Sequence, residues 1–169
     1  MMMIITGMDS RRSGGFRTAL EAFIRSERSA LMLVLIYGFL FFTSWDFSLA
    51  PLGVAFCAFG GTIYIHGFLV MGRAWSVRVE SKGRLVEEGI FRHARHPLYL
   101  GALMIAFGLV VLSRSLPLAL FFILIVLPYV CARAVIEEAV LSQELPAYRD
   151  YVKRTGMFLP LPGFKMKLE

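Results

Sequence analysis

Four apolar runs, each closed off by polar or turn residues, constrain this chain more than any other feature. They extend from about Ala30 to Leu49, from Pro51 and Gly53 to about Met71, from Leu98 to Leu112, and from Leu116 to about Ile136. A bilayer's hydrocarbon core takes about 20 apolar residues per helix. Within it the backbone must satisfy its own hydrogen bonds, so spanning runs of this kind become helices. The third run holds 15 residues, about 22 Å at 1.5 Å per residue and short of the usual ~30 Å. Pro117 stands near the start of the fourth, and Pro128 is expected to kink it. Hydrophobic residues make up 57% of the chain and charged residues 18%, against about 45–50% and about 25% in soluble domains. A soluble fold would lack the polar surface to cover itself.

The expectation is an all-α polytopic membrane bundle of about four transmembrane helices, with a cofactor pocket on the cytoplasmic side. An N-terminal helix joins them. Phe16, Leu20, Phe23 and Ile24 share one face of it, which suits a helix lying at the membrane interface or one packed on the bundle. With 169 residues there is room for one domain, 1–169. It divides into an N-terminal segment (1–28), the first two spans (30–71) and a motif-rich region (72–160). The polar N-terminus, with five arginines before the first run, does not read as a cleaved signal.

Orientation follows from Lys and Arg, which stay on the cytoplasmic side. Of 18 such residues, 17 fall before Ser29, between Gly72 and Pro97, or from Arg133 onward. Arg114 alone lies in an alternate connection. The predicted topology is multi-pass, with both termini and the active site cytoplasmic. The formal charge of +6 then reads as attraction to anionic headgroups. No nucleic-acid motif accompanies it, so no nucleic acid is expected as a partner.

Other chemistries are poorly represented. Cys57 and Cys131 lie within apolar runs and read as small core residues. No G-x-G-x-x-G unit follows a strand. Gly60-Gly61 serves close helix packing. His93 and His96 are three apart, but the only other histidine is His66 in the second run. It reads as a helix–helix hydrogen bond, and no metal site is expected.

Two predicted cytoplasmic stretches carry polar residues that lipid packing does not require. One runs from Gly83 to Gly101 and includes Arg92, His93, Arg95, His96, Pro97 and Tyr99. The other runs from Arg133 through Glu137 and Glu138 to Tyr148, Tyr151 and Pro160. They flank the third and fourth runs, so a hairpin of those two helices would bring the stretches together. Gly89, Arg92, Arg95, His96, Pro97, Tyr99 and Gly101, followed across the hairpin by Arg133, Glu137, Glu138 and Leu141, form a specific pattern. In this pattern the chain resembles the isoprenylcysteine carboxyl methyltransferase family, itself similar to the phospholipid methyltransferases. The resemblance covers about Gly72 to Pro160. Phe91 stands where that family often has Tyr, and Leu145-Pro146 where it often has Phe-Gly.

The resemblance implies an S-adenosylmethionine-dependent methyltransferase acting on a lipid, or on another lipophilic or lipid-tailed acceptor. It implies that Leu85, Val86 and the segment His96, Pro97, Leu98 and Tyr99 wrap the cofactor. It also gives Glu137 to the cofactor and Arg133 to the methyl acceptor. The side chains suit these roles chemically. Arg95 and His96 match the cofactor's carboxylate, while Glu137 or Glu138 matches its ammonium or ribose hydroxyls. Phe91, Tyr99 or Tyr148 matches adenine and the sulfonium. Plainer readings stand beside these. Glu137 would pair with Arg133 one helical turn away, Arg92 would hold lipid phosphate, and Tyr148 and Tyr151 would be interfacial anchors. A non-catalytic membrane assembly protein and a sterol-reductase-like enzyme are the competing classes. The reductase needs a longer polar tail than Pro160 to Glu169 offers. Neither the acceptor group nor the oligomeric state is written in these motifs.

The charge asymmetry has a direct test. Reporters fused to either terminus should both signal from the cytoplasm, and a terminus found outside would overturn the four-span topology.

Overall fold

The computed structural model describes residues 18–42, 50–72 and 85–159. Phe16, Trp45 and the end of the first apolar run, residues 73–84, and Pro160 with the tail lie outside them. The described residues are helical throughout, apart from connections and one isolated parallel bridge between Ala94 and Gly156. Residues 18–25 form α1, broken from α2 (Glu27–Phe42) at Ser26. Then follow α3 (Ala50–Met71), a 3₁₀ turn (Gly89–Arg92) and α4 (Pro97–Ser113). One long helix comes next, made of α5 (Leu116–Phe121), a π turn (Phe122–Val126) and α6 (Leu127–Glu144). The short α7 (Tyr148–Arg154) completes the described chain.

Among the described residues, two helices are long and apolar enough to cross a membrane: Pro51–Met71, and the composite helix Leu116–Glu144. α4 is apolar but shorter. The outer surfaces of α2, α3 and the composite helix are those of a protein in lipid. Val34, Leu35, Phe39, Phe59, Leu69 and Leu124 are each more than 60% exposed. Water would penalise that surface at about 25 cal/mol per Å², so the chain is membrane-associated.

What holds the helices together is close backbone approach. α3 and α4 pack along their length more extensively than any other pair. Gly53, Gly60 and Gly67 recur every seventh residue on α3, and Gly101 and Gly108 do so on α4. A Cβ on Gly101 would lie 2.7 Å from the Gly60 carbonyl and 2.8 Å from the Tyr64 nitrogen. One on Gly108 would lie 2.8 Å from the Gly53 carbonyl. Small residues allow this approach where lipid supplies no hydrophobic drive between helices. On the other side of α4, Tyr37 of α2 donates to the Ala106 carbonyl at 2.6 Å. Tyr37, Leu118 and Phe122 form a small core there. The helix with most partners is thus α4, and its tightest neighbour is α3 rather than the composite helix expected to form its hairpin.

Tight turns set the ends. Arg114 takes a left-handed conformation (φ 49°) and closes α4 with its N–H on the Val110 carbonyl. Ser115 caps α5, accepting from the Leu118 N–H at 3.3 Å. The irregularity expected from Pro128 takes the form of the π turn just before it, where the Leu127 N–H reaches back to the Phe122 carbonyl. Proline has no N–H to offer one turn back, and a π turn absorbs that local fault. One extra residue rotates everything downstream by about 100°, which sets the face that α6 turns toward α4.

The glycine seam yields a clear expectation. Gly101→Ala should destabilise the protein by about 1–3 kcal/mol, because backbone atoms rather than flexible side-chain ends stand in the way. Gly61→Ala, with nothing within 4 Å, should cost far less. Denaturation of both variants in the same detergent checks this, and equal losses would dismiss the seam.

Candidate functional site

One end of α4 gathers the buried polar side chains Arg95, His96, Arg133 and Thr155. The approach is set locally. Gly89 adopts φ +57°, and a Cβ there would meet Val70 at 3.0 Å and His66 Nε2 at 3.4 Å. That conformation is cheap only for glycine. The 3₁₀ turn then carries Phe91 into the interior (3% exposed). After it the backbone runs extended beside the tail: Arg95 N–H donates to the Gly156 carbonyl and His96 N–H to the Met157 carbonyl, both at 2.9 Å. His96 stands at the N-cap of α4 and Pro97 at its first turn, where a missing N–H costs nothing.

Arg95 is the clamp. Its side chain is wholly buried and donates from Nε to Glu138 Oε1 at 2.6 Å. Nη1 donates to the Val152 carbonyl at 3.3 Å and to the Thr155 carbonyl. One guanidinium thereby joins the loop before α4, the end of α6 and the α7 tail. The sequence reading matched this cation to a cofactor carboxylate; here its Nε and Nη1 meet protein oxygens. Tyr151 reinforces the joint by donating to the Phe91 carbonyl. Tyr148, Tyr151 and Val152 form a core beneath it, against which Leu85, Leu141 and Leu145 pack. Burial pushes the Tyr148 phenol far above its usual range, with the Glu138 charge adding to the effect. Burial also raises the Tyr151 phenol, to about 12. Both are interior groups rather than interfacial anchors.

Tyr99 links the two halves of the predicted site. Its hydroxyl donates to Glu137 Oε2 at 2.8 Å and accepts from Arg133 Nε at 3.2 Å. Its ring stacks on His96, with centroids 5.4 Å apart and planes 12° off parallel. His96 Nδ1 lies 3.8 Å from Glu137 Oε2, and Nε2 lies 3.3 Å from Glu138 Oε1. The second approach is close but misaligned, so His96 Nε2 has no well-aligned hydrogen-bond partner among the described residues. The Tyr148 hydroxyl is likewise buried and unpaired among the described residues. Glu137 keeps 30% of its side chain exposed and Glu138 15%.

The structure therefore brings Phe91, Arg95, His96, Pro97, Leu98, Tyr99, Arg133, Glu137, Glu138 and Tyr148 to one end of the bundle, with Leu85 and Val86 alongside. It does not include His93, which is exposed. Arg133 is buried and does not pair with Glu137 directly; Tyr99 stands between them. Two contributors were missed in the sequence. Tyr129 hydrogen-bonds Arg133 Nη1 at 3.2 Å, and the Ile24 carbonyl accepts from the same nitrogen at 2.6 Å. Tyr129 had a signal, since it lies one turn before Arg133 on the face that also carries Glu137. A backbone carbonyl over a hundred residues away had none.

Chemically, the arrangement offers a partly open carboxylate pair, two buried polar atoms without a well-aligned hydrogen bond among the described residues, and a buried cation, Arg133. A polar, charged ligand satisfies such groups; an apolar one does not. A family model described as phospholipid methyltransferase matches residues 49–147. That stretch runs from α3 to the end of α6, holds His96, Tyr99, Arg133, Glu137 and Glu138, and leaves α1, α2 and α7 outside. Comparison with curated proteins and with solved structures gives no match in either.

Removing the clamp tests this geometry without any ligand. Arg95→Ala strands Glu138 and two tail carbonyls and should cost about 3–5 kcal/mol, the range for breaking a buried pair. A loss under about 1 kcal/mol, the size of an exposed ion pair, would show that the tail docks by other means.

Proposed function

The chain belongs to the phospholipid methyltransferase family, and from that premise we propose that it transfers methyl from S-adenosylmethionine to a lipid or lipid-tailed acceptor. Membership indicates a membrane methyltransferase. The donor, the cytoplasmic placement and the roles of individual residues are our reading. In it the chain crosses the bilayer four times with both termini cytoplasmic, supported by the 17 of 18 Lys and Arg on alternate segments and by the lipid-suited outer surfaces of α2, α3 and α5. α1 lies at the interface, supported by Leu20 and Phe23 at 45% and 50% exposure.

One observation carries the reading. Among the described residues, His96 Nε2, 3.3 Å from Glu138 Oε1, and the Tyr148 hydroxyl are buried without a well-aligned hydrogen bond beside the Glu137–Glu138 pair. Unsatisfied buried polar atoms cost about 1–3 kcal/mol each, so their position beside carboxylates supports the reading that a polar ligand binds there. Bound there, S-adenosylmethionine would supply an electrophilic methyl group on a sulfonium. Glu137, held at one oxygen by Tyr99, would accept from the cofactor's ammonium or ribose hydroxyls, and Glu138 would share that work. His96 and Tyr148 would meet polar atoms. Leu85, Val86, Phe91, Pro97 and Leu98 would supply the apolar wall. Arg133 would grip the acceptor. Methyl displacement asks little of the protein beyond orientation and exclusion of water. The motif match to isoprenylcysteine carboxyl methyltransferases favours an acceptor group presented at the membrane surface on a lipid tail.

Binding and turnover on the same purified variants separate these roles. S-adenosylhomocysteine should bind, and His96→Ala or Glu137→Ala should weaken it by about 1.5–3 kcal/mol, the worth of a hydrogen bond to a charged group. Arg133→Ala should abolish methyl transfer to total lipid extract while leaving that affinity within about threefold, well short of the tenfold that 1.4 kcal/mol represents. Unchanged affinity in both of the first two variants would remove the pocket. Parallel loss of binding and turnover in the third would move Arg133 to the cofactor side.

A further inference from the structure

Arg133 is 4% exposed, so an acceptor cannot reach it as the chain stands. What covers it is the break between α1 and α2. Nη1 donates to the Ile24 carbonyl at 2.6 Å and to the Ser26 carbonyl at 3.3 Å. The Tyr129 hydroxyl, 3.2 Å from the same nitrogen, lies 2.7 Å from Ser29 Oγ. Ser29 is 1% exposed and donates in turn to the Ser26 carbonyl at 2.8 Å. Residues 18–23, just before this patch, are all exposed. Ile24 lies in the last turn of α1, so its carbonyl sits near the negative end of a helix dipole, where a guanidinium is favoured.

We infer that residues 24–29 are a strap across the acceptor side of the site. We also infer that the acceptor carries an anionic oxygen, which takes the place of the Ile24 and Ser26 carbonyls at Arg133. The inference rests on the acceptor role proposed for Arg133, and it assigns a function to residues outside the matched stretch 49–147. The chemistry favours the exchange. The two carbonyls already accept charge-assisted hydrogen bonds from the guanidinium, and an anionic oxygen adds to such bonds the attraction of opposite charges and the option of a two-pronged grip. A phosphate or carboxylate on a lipid therefore outcompetes two backbone carbonyls, whereas a cationic head does not. Ile24 and Ser26 would then turn away about the bend at Ser26, and Tyr129 would keep Arg133 in place from its own helix.

Arg25 and Arg28 are exposed and flank the bend, so trypsin reads the strap directly. The full chain in neutral detergent is digested briefly, and cuts after these two residues are scored by mass. Dodecyl phosphate should speed cleavage at least fivefold. Laurate tests the carboxylate source in a second arm, and dodecyltrimethylammonium should have no effect. Arg133→Ala should be cut fast from the start and ignore all three amphiphiles. Tyr129→Phe, which loses one hydroxyl and keeps the guanidinium, should fall between and carries the comparison if the alanine variant does not fold. Cleavage unmoved by both anions, equal acceleration by the cation, or slow cleavage of Arg133→Ala would each overturn the strap. S-adenosylhomocysteine binding is measured in parallel. If it fails while cleavage still answers to anions, the methyl-transfer reading falls and the strap stands; if it succeeds while cleavage is unmoved, the strap alone falls.

Discussion

A single buried guanidinium ties the functional end of this molecule together. Arg95 comes from the loop before α4, yet its donors end on Glu138 of α6 and on the Val152 and Thr155 carbonyls of the tail. An unpaired cation in that position would cost several kcal/mol, so loop, helix and tail must come together or not at all. Everything nearby inherits its place from this joint. His96 follows Arg95 directly and takes the cap of α4, and Tyr99 follows one turn later. Glu137 precedes Glu138 on α6 and so turns to meet Tyr99.

The second constraint is the phase of α6. A helix of ordinary α geometry from Leu116 to Glu144 would turn a different face to α4. The π turn at Phe122–Val126 supplies about 100° of rotation in one residue. Downstream, Tyr129, Arg133 and Glu137 line one stripe, facing the α1–α2 break, Tyr99 and His96 in order. One helix thereby presents a cation on the acceptor side and a carboxylate on the cofactor side of the proposed reaction. The Tyr99 hydroxyl bridges them. Its single proton goes to Glu137, because Arg133 can only donate.

Much of this was legible in the residues. The bounds of α3 and α4 follow from their apolar runs, and the convergence of the Arg95–Tyr99 segment with the Glu137–Glu138 pair follows from motif spacing across a hairpin. The glycine seam was legible too, in Gly53, Gly60, Gly67, Gly101 and Gly108, but only as a seven-residue period that a reading of Gly60-Gly61 alone overlooks. The use of Arg95 was not legible. A cation in a motif looks the same whether it faces a ligand or a carbonyl, and only the tail's path shows which oxygens reach it first. Pro128 signalled an irregular helix but not its form, because a proline fault can open as a kink or close as a π turn.

By itself, then, the sequence determined a helical membrane chain and the identity of the polar residues that meet at one end. Both follow from local composition and short-range spacing, which act through the bilayer's demand for apolar surface and internal hydrogen bonds. Tertiary structure alone decided which partners those residues meet and how far each is covered. Arg95 is wholly buried, Glu137 is left partly open, and Arg133 is covered by the Ile24 and Ser26 carbonyls. The reason is that hydrogen bonds saturate. A buried donor goes to whichever acceptor the packed backbone brings within about 3 Å, and no pattern in the side chains says where a distant carbonyl will lie.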